Sequence, residues 1–504
     1  MRRRPTHPVR ALAPLVTTAL LAAAVPALAA HPGSGGDDAA RGSHASAAPA
    51  AQATRGRITL TPRAYIAGET LTIRGTVGAR GSRPIMLQRY MRDRYLDAER
   101  GRTTQAGRFG FRIPGPGMAT PYSVQLPGTG LRTPNAPVTP VEQTFSFATT
   151  PSAPRAGQAV TLRVTSAPAR PGRPLTLLRR TSPSSWAKVA TASADAQGAA
   201  TFGVTAAAGD AVYRVMAGAM PGRGISEYPS YPFYLRSRGS ERAGVANAGA
   251  VPVTPGAARA PYTQPGPVNA GNTFDWGRAT ESHEWEYGEP LGAWREYGTG
   301  SGRVAPAYAM LTVESGPGFY GADDLGTTRA TLSGRGSAYG RWEIRMRAPH
   351  WQDGPDYRVK AELVPAGTAP GACSPHTVTF ADFTGYGNSV DLGVSNGSRA
   401  WAHSERGVVT NRDNWHTYAV EVTRNRITWF VDAKVTATLP GRAAVSGKAL
   451  VPRISLIAPD DTTQMRHTRI GMDWLRSWGL ERPGSAAAGQ RRAPQPKAGR
   501  DLSC

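Results

Sequence analysis

Three carboxylates, Glu362, Asp382 and Asp391, fall within one stretch of short, alternating segments. Two carboxyl groups brought onto one face could divide the work of general acid and base, or of nucleophile and acid/base. The same three groups have a plainer use, as solvated charges or as partners of Arg358 and Lys360. The segments that carry them read as strands. Tyr357-Arg-Val-Lys-Ala-Glu-Leu-Val-Pro365, His376-Thr-Val-Thr-Phe-Ala-Asp-Phe-Thr-Gly385 and Val390-Asp-Leu-Gly-Val-Ser395 each alternate apolar with polar residues, the pattern of a half-buried strand. In the middle segment Val378 and Phe380 supply the apolar face and Thr377 and Thr379 the other.

Around these strands lie Tyr339-Gly-Arg-Trp-Glu-Ile-Arg-Met-Arg-Ala-Pro349, Asn414-Trp-His-Thr-Tyr-Ala-Val-Glu-Val-Thr423 with Ile427-Thr-Trp-Phe-Val-Asp432, and Ile470-Gly-Met-Asp-Trp-Leu-Arg476. In this order the segments resemble glycoside hydrolase family 16, the laminarinase-like β-glucanases and galactanases. The resemblance covers most of residues 273–480 and implies a concanavalin A-like jelly roll. The family carries its catalysis on one strand, Glu-x-Asp-x-x-Glu, and those positions fall on Thr377, Thr379 and Asp382. The x-x spacing implies a bulge, since on a plain strand residues five apart point to opposite faces. Neutral Thr377 cannot serve as the carboxylate nucleophile, and Asp382 is one methylene shorter than Glu, at a distance scale where proton transfer is sensitive. The resemblance places Arg358 and Glu362 where sugar-stacking Trp is expected, and turns Asp391 and Ser395 into the cleft. Trp351, Tyr386 and Trp401 fall in loops beside the cleft strands, where aromatic faces stack on sugar rings. Trp342, Trp415, Trp429 and Trp474 read as core, and His416 as structural. The family often holds a structural calcium ion, and Asp473 resembles its usual side-chain ligand. No cofactor is required.

The chain has 504 residues, enough for about three domains. Arg2, Arg3, Arg4 and Arg10 precede an apolar run through Leu21–Val25, and Ala27-Leu-Ala29 offers a small-residue cleavage site. Residues 1–29 therefore read as a secretory signal, with an uncleaved anchor as the alternative. No later segment is apolar enough for a stable membrane span. A net charge of +24 and a pI near 10.7 raise the question of nucleic acid. Only five of the 59 basic residues are Lys, and the Arg are scattered over the whole chain with no basic helix, which excludes a nucleic-acid reading. Anionic cell-wall polymers remain partners for so basic an exported protein. Cys373 and Cys504 are the only cysteines, and in an exported protein they could form one bridge.

Residues 30–55 read as a disordered spacer. Beyond them the chain repeats with a period near ninety. Gly68-Glu-Thr-Leu-Thr-Ile-Arg74 answers Gly157-Gln-Ala-Val-Thr-Leu-Arg163, and Arg83-Pro-Ile-Met-Leu-Gln-Arg89 answers Arg173-Pro-Leu-Thr-Leu-Leu-Arg179. Gly107 and Phe111 match Gly198 and Phe202, and Pro121-Tyr-Ser-Val124 matches Val212-Tyr-Arg-Val215. Two tandem immunoglobulin-like sandwiches, 56–148 and 149–237, are the expectation, resembling bacterial spacer modules. Residues 238–270 form a linker, 271–480 the jelly-roll β-sandwich, and 481–504 a basic tail. The expected fold class is all-β. The expected role is binding of a β-linked glucan or galactan with catalysis lost or reduced. The alternatives are an active hydrolase or transglycosylase using Asp382 with Glu362 or Asp391, and a wall-associated structural protein.

Overall fold

The structure is a computed structural model that describes residues 56–91, 94–209, 211–237, 244–246, 268–318, 323–351, 353–385, 387–410, 414–482 and 495–496. Its class is all-β. The helical elements among the described residues are single turns, Ala270–Thr273, Pro221–Arg223 and Arg442–Ala444.

The ninety-residue repeat returns as a repeated topology. In the first module Arg57–Thr61, Thr70–Thr76 and Arg108–Pro114 form one sheet; Arg94–Arg102, Pro84–Met91 and Thr120–Leu126 run side by side in the other. In the second, Thr144–Thr150, Ala159–Ala167 and Ala199–Thr205 form one sheet; Ser185–Ser193, Pro174–Ser182 and Ala211–Ala217 are neighbours in the other. Both modules thus join their first, second and fifth strands, and their fourth, third and sixth. Alternation decides which side chains face inward. In Arg108–Pro114, Phe109, Phe111 and Ile113 are buried between exposed neighbours. The paired positions Leu71 and Val160, Ile73 and Leu162, Ile85 and Leu175, Leu87 and Leu177, Phe111 and Phe202 are all buried. The matched glycines have a steric reason. Gly107 and Gly198 have φ of 73° and 79°, and a Cβ there would lie 2.1 Å from the Ala79 carbonyl oxygen and 2.4 Å from that of Ser166.

These modules are packed against their neighbours. Arg170 forks onto buried Glu69 at 2.9 and 2.5 Å, tying the second module to the first. Arg89 of the first module pairs with Glu286, and Arg214 of the second with Glu296 at 2.7 Å. Ala305, from the C-terminal sandwich, lies inside the second module's core.

The C-terminal sandwich has two antiparallel sheets. One runs, in spatial order, Trp294–Gly298, Thr328–Leu332, Leu450–Ile457, Arg358–Pro365, His376–Thr384, Ser389–Asn396, Arg399–Arg406 and Gln495–Pro496. The facing sheet runs Arg303–Ala307, Met310–Glu314, His467–Trp478, Gly340–Arg347, His416–Val422, Arg426–Val431 and Lys434–Pro440. Val359, Ala361, Leu363, Val378, Val390, Leu392, Val394, Ile454 and Leu456 of the first sheet meet Trp342, Ile344, Val420, Trp429 and Leu475 of the second in one core. The opposite face of the first sheet therefore carries the alternate, polar residues. This is the candidate site.

Candidate functional site

The strand His376–Thr384 contains the bulge that the spacing implies. Thr379 pairs with Gly393 and Asp382 with Asp391, so three steps on one strand match two on its neighbour. On the other side Ala361 pairs with Ala381 but Glu362 with Thr379. The extra residue lies at Phe380–Ala381, both buried in the core. It returns Asp382 to the face shared by Thr377 and Thr379. Trp429 crosses the core and donates its indole N–H to the Thr379 carbonyl at 3.0 Å, beside the bulge.

Register assembles the rest of the face. Lys360 lies opposite Asp382, and Glu362 opposite Thr379; on the far side Ser455 and Arg453 pair with Lys360 and Glu362. Ser395 lies opposite Thr377. The result is a dense strip of charges and hydroxyls with almost no exposure. Thr377, Thr379, Glu362 and Arg453 are each 1% exposed and Lys360 0%.

Every carboxylate on the strip has a partner. Glu362 receives Arg453 Nε at 2.9 Å on one oxygen, and Lys360 Nζ lies 2.9 Å from the other. Arg358 forks onto Asp382, Nε to Oδ1 at 2.7 Å and Nη2 to Oδ2 at 2.5 Å. That hydrogen-bonded fork raises the Arg358 pKa, so the guanidinium stays charged. Burial pushes the Lys360 ammonium below its ordinary pKa, against the pull of Glu362. Asp391 accepts a hydrogen bond from Ser404. A nucleophile or general base works through an available carboxylate, and here Asp382 is held by Arg358 and Glu362 by Lys360 and Arg453. By contrast Thr331 Oγ1, Thr377 Oγ1, Thr379 Oγ1 and Ser455 Oγ are buried without a hydrogen-bond partner.

Several expected site residues lie elsewhere or are otherwise engaged. Trp401 does not face the cleft side: it pairs with Val394, whose side chain is in the core, and packs half-buried against that core. Trp351 is not in a loop beside the candidate face. It forms the short strand His350–Trp351 on the end of His467–Trp478, in the other sheet. There its ring stacks on His467 at 5.4 Å and remains 40% exposed. Arg358 is committed to Asp382, and Ser395 is buried. Tyr386 lies outside the described residues. Asp473, nominated for calcium, is ion-paired with Arg345, and among the described residues no three His, Cys, Asp or Glu side chains are grouped to hold a metal. Cys373 is disulfide-bonded; Cys504 lies outside the described residues. His416 bonds Asp432 at 2.8 Å and the Val409 carbonyl at 3.0 Å, a bracing role.

The sequence reading missed Arg453, the one charged residue in Leu450–Ile457, which reaches Glu362 only through sheet pairing. It also missed a second buried cluster, at the border with the second module. Glu314 there meets Arg303 at 2.9 Å and Arg469 at 2.6 Å, and Tyr231 donates its hydroxyl to the same carboxylate.

No protein-family model matches this sequence, and no curated protein matches it. Solved structures do resemble it in part. The catalytic domain of an endo-1,3-beta-glucanase (laminarinase) from Thermotoga petrophila RKU-1 shares 14% identity over 41% of this chain and 98% of its own, with a TM-score of 0.32. An endo-beta-1,3-glucanase from Pyrococcus furiosus shares 14% over 40% of this chain and 94% of its own, at a TM-score of 0.32. A Bacillus licheniformis beta-glucanase shares 15% over 40% and 99%, at 0.28. These likenesses cover about two fifths of the chain and carry no conclusion about its chemistry.

Proposed function

We propose that this chain is an exported polysaccharide-binding protein whose sandwich has no hydrolytic activity. One observation carries the reading: the two carboxylates nearest to Thr377 and Thr379, Asp382 and Glu362, are each held by cations, Asp382 by Arg358 and Glu362 by Lys360 and Arg453. A retaining pair must be free to attack and to exchange a proton, and here each acid is already neutralised. Trp351 is the only aromatic among the exposed large hydrophobic side chains of the described residues, and a stacked pyranose there would bury C–H surface at roughly 25 cal/mol per Å². A neutral β-linked glucan or galactan is the class of ligand proposed. A second reading, a wall-associated structural protein that binds no sugar, is favoured by the burial of Lys360, Glu362, Thr377 and Thr379 on the candidate face.

The test is a reducing-sugar assay run beside a polysaccharide pull-down. Laminarin, lichenan and agarose should show no release above a no-protein control. Wild-type turnover that vanishes in Asp382→Asn would falsify this reading. Trp351→Ala should lower retention on an insoluble neutral β-glucan several-fold, and about 0.5 M salt, which screens charges beyond a few ångströms, should leave it nearly unchanged. Retention that salt abolishes and Trp351→Ala spares would assign the protein to anionic wall polymers.

A further inference from the structure

The two N-terminal modules share a topology but not a surface charge. In the first, alternation turns Leu71, Ile73, Phe109, Phe111 and Ile113 into the core. The other face of that three-stranded sheet carries Arg57, Arg74, Arg108 and Arg112 among threonines. All four arginines are exposed, and none of the three strands carries an acidic residue. Register gathers them. Arg57 and Arg108 flank Thr76 from either side, and Arg74 lies between Thr59 and Gly110. Arg74 is thus the diagonal neighbour of Arg57, Arg108 and Arg112, at the roughly 7–8 Å of such positions. That is within the Debye length of about 8 Å at physiological salt, so the four act as one charged patch. The second module shows that the fold does not need these charges. Ser146 and Ala199 flank Thr165 where the first module has Arg57 and Arg108, and Gly203 lies beside Thr161 where it has Arg112 beside Thr72. Arg74 alone has an arginine counterpart, Arg163, which lies 4.0 Å from Asp195.

We infer that this face of the first module docks a flexible phosphodiester polymer, an anionic chain of the cell-wall kind. Four like charges on one sheet face repel each other, and an anion laid across them removes that cost. Arginine suits phosphate because its planar fork donates two parallel hydrogen bonds to two oxygens. The interleaved Thr59, Thr61, Thr72 and Thr76 add hydroxyl donors between the guanidinium groups. The outward side chains of the three strands are Arg and Thr, with Gly110 and Pro114 on the last strand. The face therefore lacks an aromatic platform on which nucleic-acid bases would stack. It also lacks the large apolar side chains that would enter a lipid surface. A polymer of phosphates and small polyols needs neither. The export reading supplies the setting in which such a chain is met. The docking surface itself lies on a different domain from Trp351 and does not depend on sugar stacking.

The test compares two variants of the full chain that lose the same number of exposed charges. One carries Arg57→Gln, Arg74→Gln, Arg108→Gln and Arg112→Gln. The other carries Arg155→Gln, Arg163→Gln, Arg179→Gln and Arg223→Gln, all exposed in the second module. Binding to immobilised poly(glycerol phosphate) is measured over a salt series, with circular dichroism to check that both variants fold. At about 0.15 M salt the first variant should bind roughly tenfold more weakly than wild type, with a flatter dependence of log affinity on log salt. The second variant should stay within about twofold of wild type and keep its salt slope. Equal losses in both variants, or no loss in the first, overturn the docking face. Single-stranded poly(dT) and vesicles containing phosphatidylglycerol serve as rival probes. Tighter binding to either of them, lost in the first variant, overturns the choice of partner. Retention on a neutral β-glucan should be alike in both variants. Its absence in wild type, with poly(glycerol phosphate) binding intact, would sink the sugar-binding reading and leave this one standing.

Discussion

Glu362 holds two cations at once, Lys360 on one oxygen and Arg453 on the other. Both are as buried as Glu362 itself, and a buried pair gains little net stability while an unpaired buried charge costs a great deal. Glu362→Gln keeps the volume and removes the charge. It should therefore lower the unfolding free energy by about 3–5 kcal/mol, read as a shift in urea midpoint at constant slope. A combined replacement of Lys360, Glu362 and Arg453 by Met, Leu and Met should recover much of that loss. A loss below about 1 kcal/mol in Glu362→Gln, the range of an exposed ion pair, would mean that water already reaches the strip.

Among the elements, the strand Gly340–Arg347 holds a buried acid whose titration should be felt in stability. Glu343, buried in it, accepts hydrogen bonds from the backbone N–H groups of Ala270 at 2.6 Å and Gly271 at 3.0 Å, which clamps the entering turn to the sheet. Burial raises its pKa to about 7, against the pull of those donors and of Arg476. Between the ordinary carboxylate value and about 7 the native state thus holds a proton that the unfolded chain has released. Stability is fully present below the unfolded pKa and is lost as pH rises through about 7, by roughly 3 kcal/mol in total. The expected outcome is a melting temperature that falls from pH 5 to pH 8 in wild type and falls much less in Glu343→Gln. Parallel curves would remove Glu343 as the cause.

Across the whole molecule, the modules are joined through buried charge. Arg303 donates to Glu314, to the Pro229 carbonyl at 3.0 Å and to the Tyr228 hydroxyl at 3.1 Å, and its guanidinium lies 3.7 Å from the Tyr231 ring centroid. Burial alone would raise the Glu314 pKa, but Arg469 and Arg303 outweigh it and hold the carboxyl down at about 2. Intact, this network should make the second module and the C-terminal sandwich unfold together. Arg303→Ala strips the Tyr228 and Pro229 oxygens of a donor and takes one of two cations from Glu314, at a cost of about 3–5 kcal/mol. Calorimetry should then resolve two transitions where wild type gives one. A single transition in the variant would show that apolar packing around Ala305 suffices.

Patterns carried by neighbouring residues are legible in the sequence. The repeat pairs Leu71 with Val160 and Phe111 with Phe202, and the alternation in His376–Thr384, follow from period-two burial, which a strand enforces on its own residues. The bulge before Asp382 is implied by the resemblance, through the x-x spacing of its catalytic strand. What pairing brings together is not legible there. Trp401 sits in a segment without apolar alternation, and only its pairing with Val394 turns it to the core. Arg453 is ninety-one residues from Glu362 in sequence and meets it through sheet register alone. Local sequence determined the strands, their faces and the neutral Thr377 and Thr379 on the strip. Tertiary structure decided that Asp382 and Glu362 are buried against cations, because desolvation and ion pairing depend on which distant side chains share a buried face.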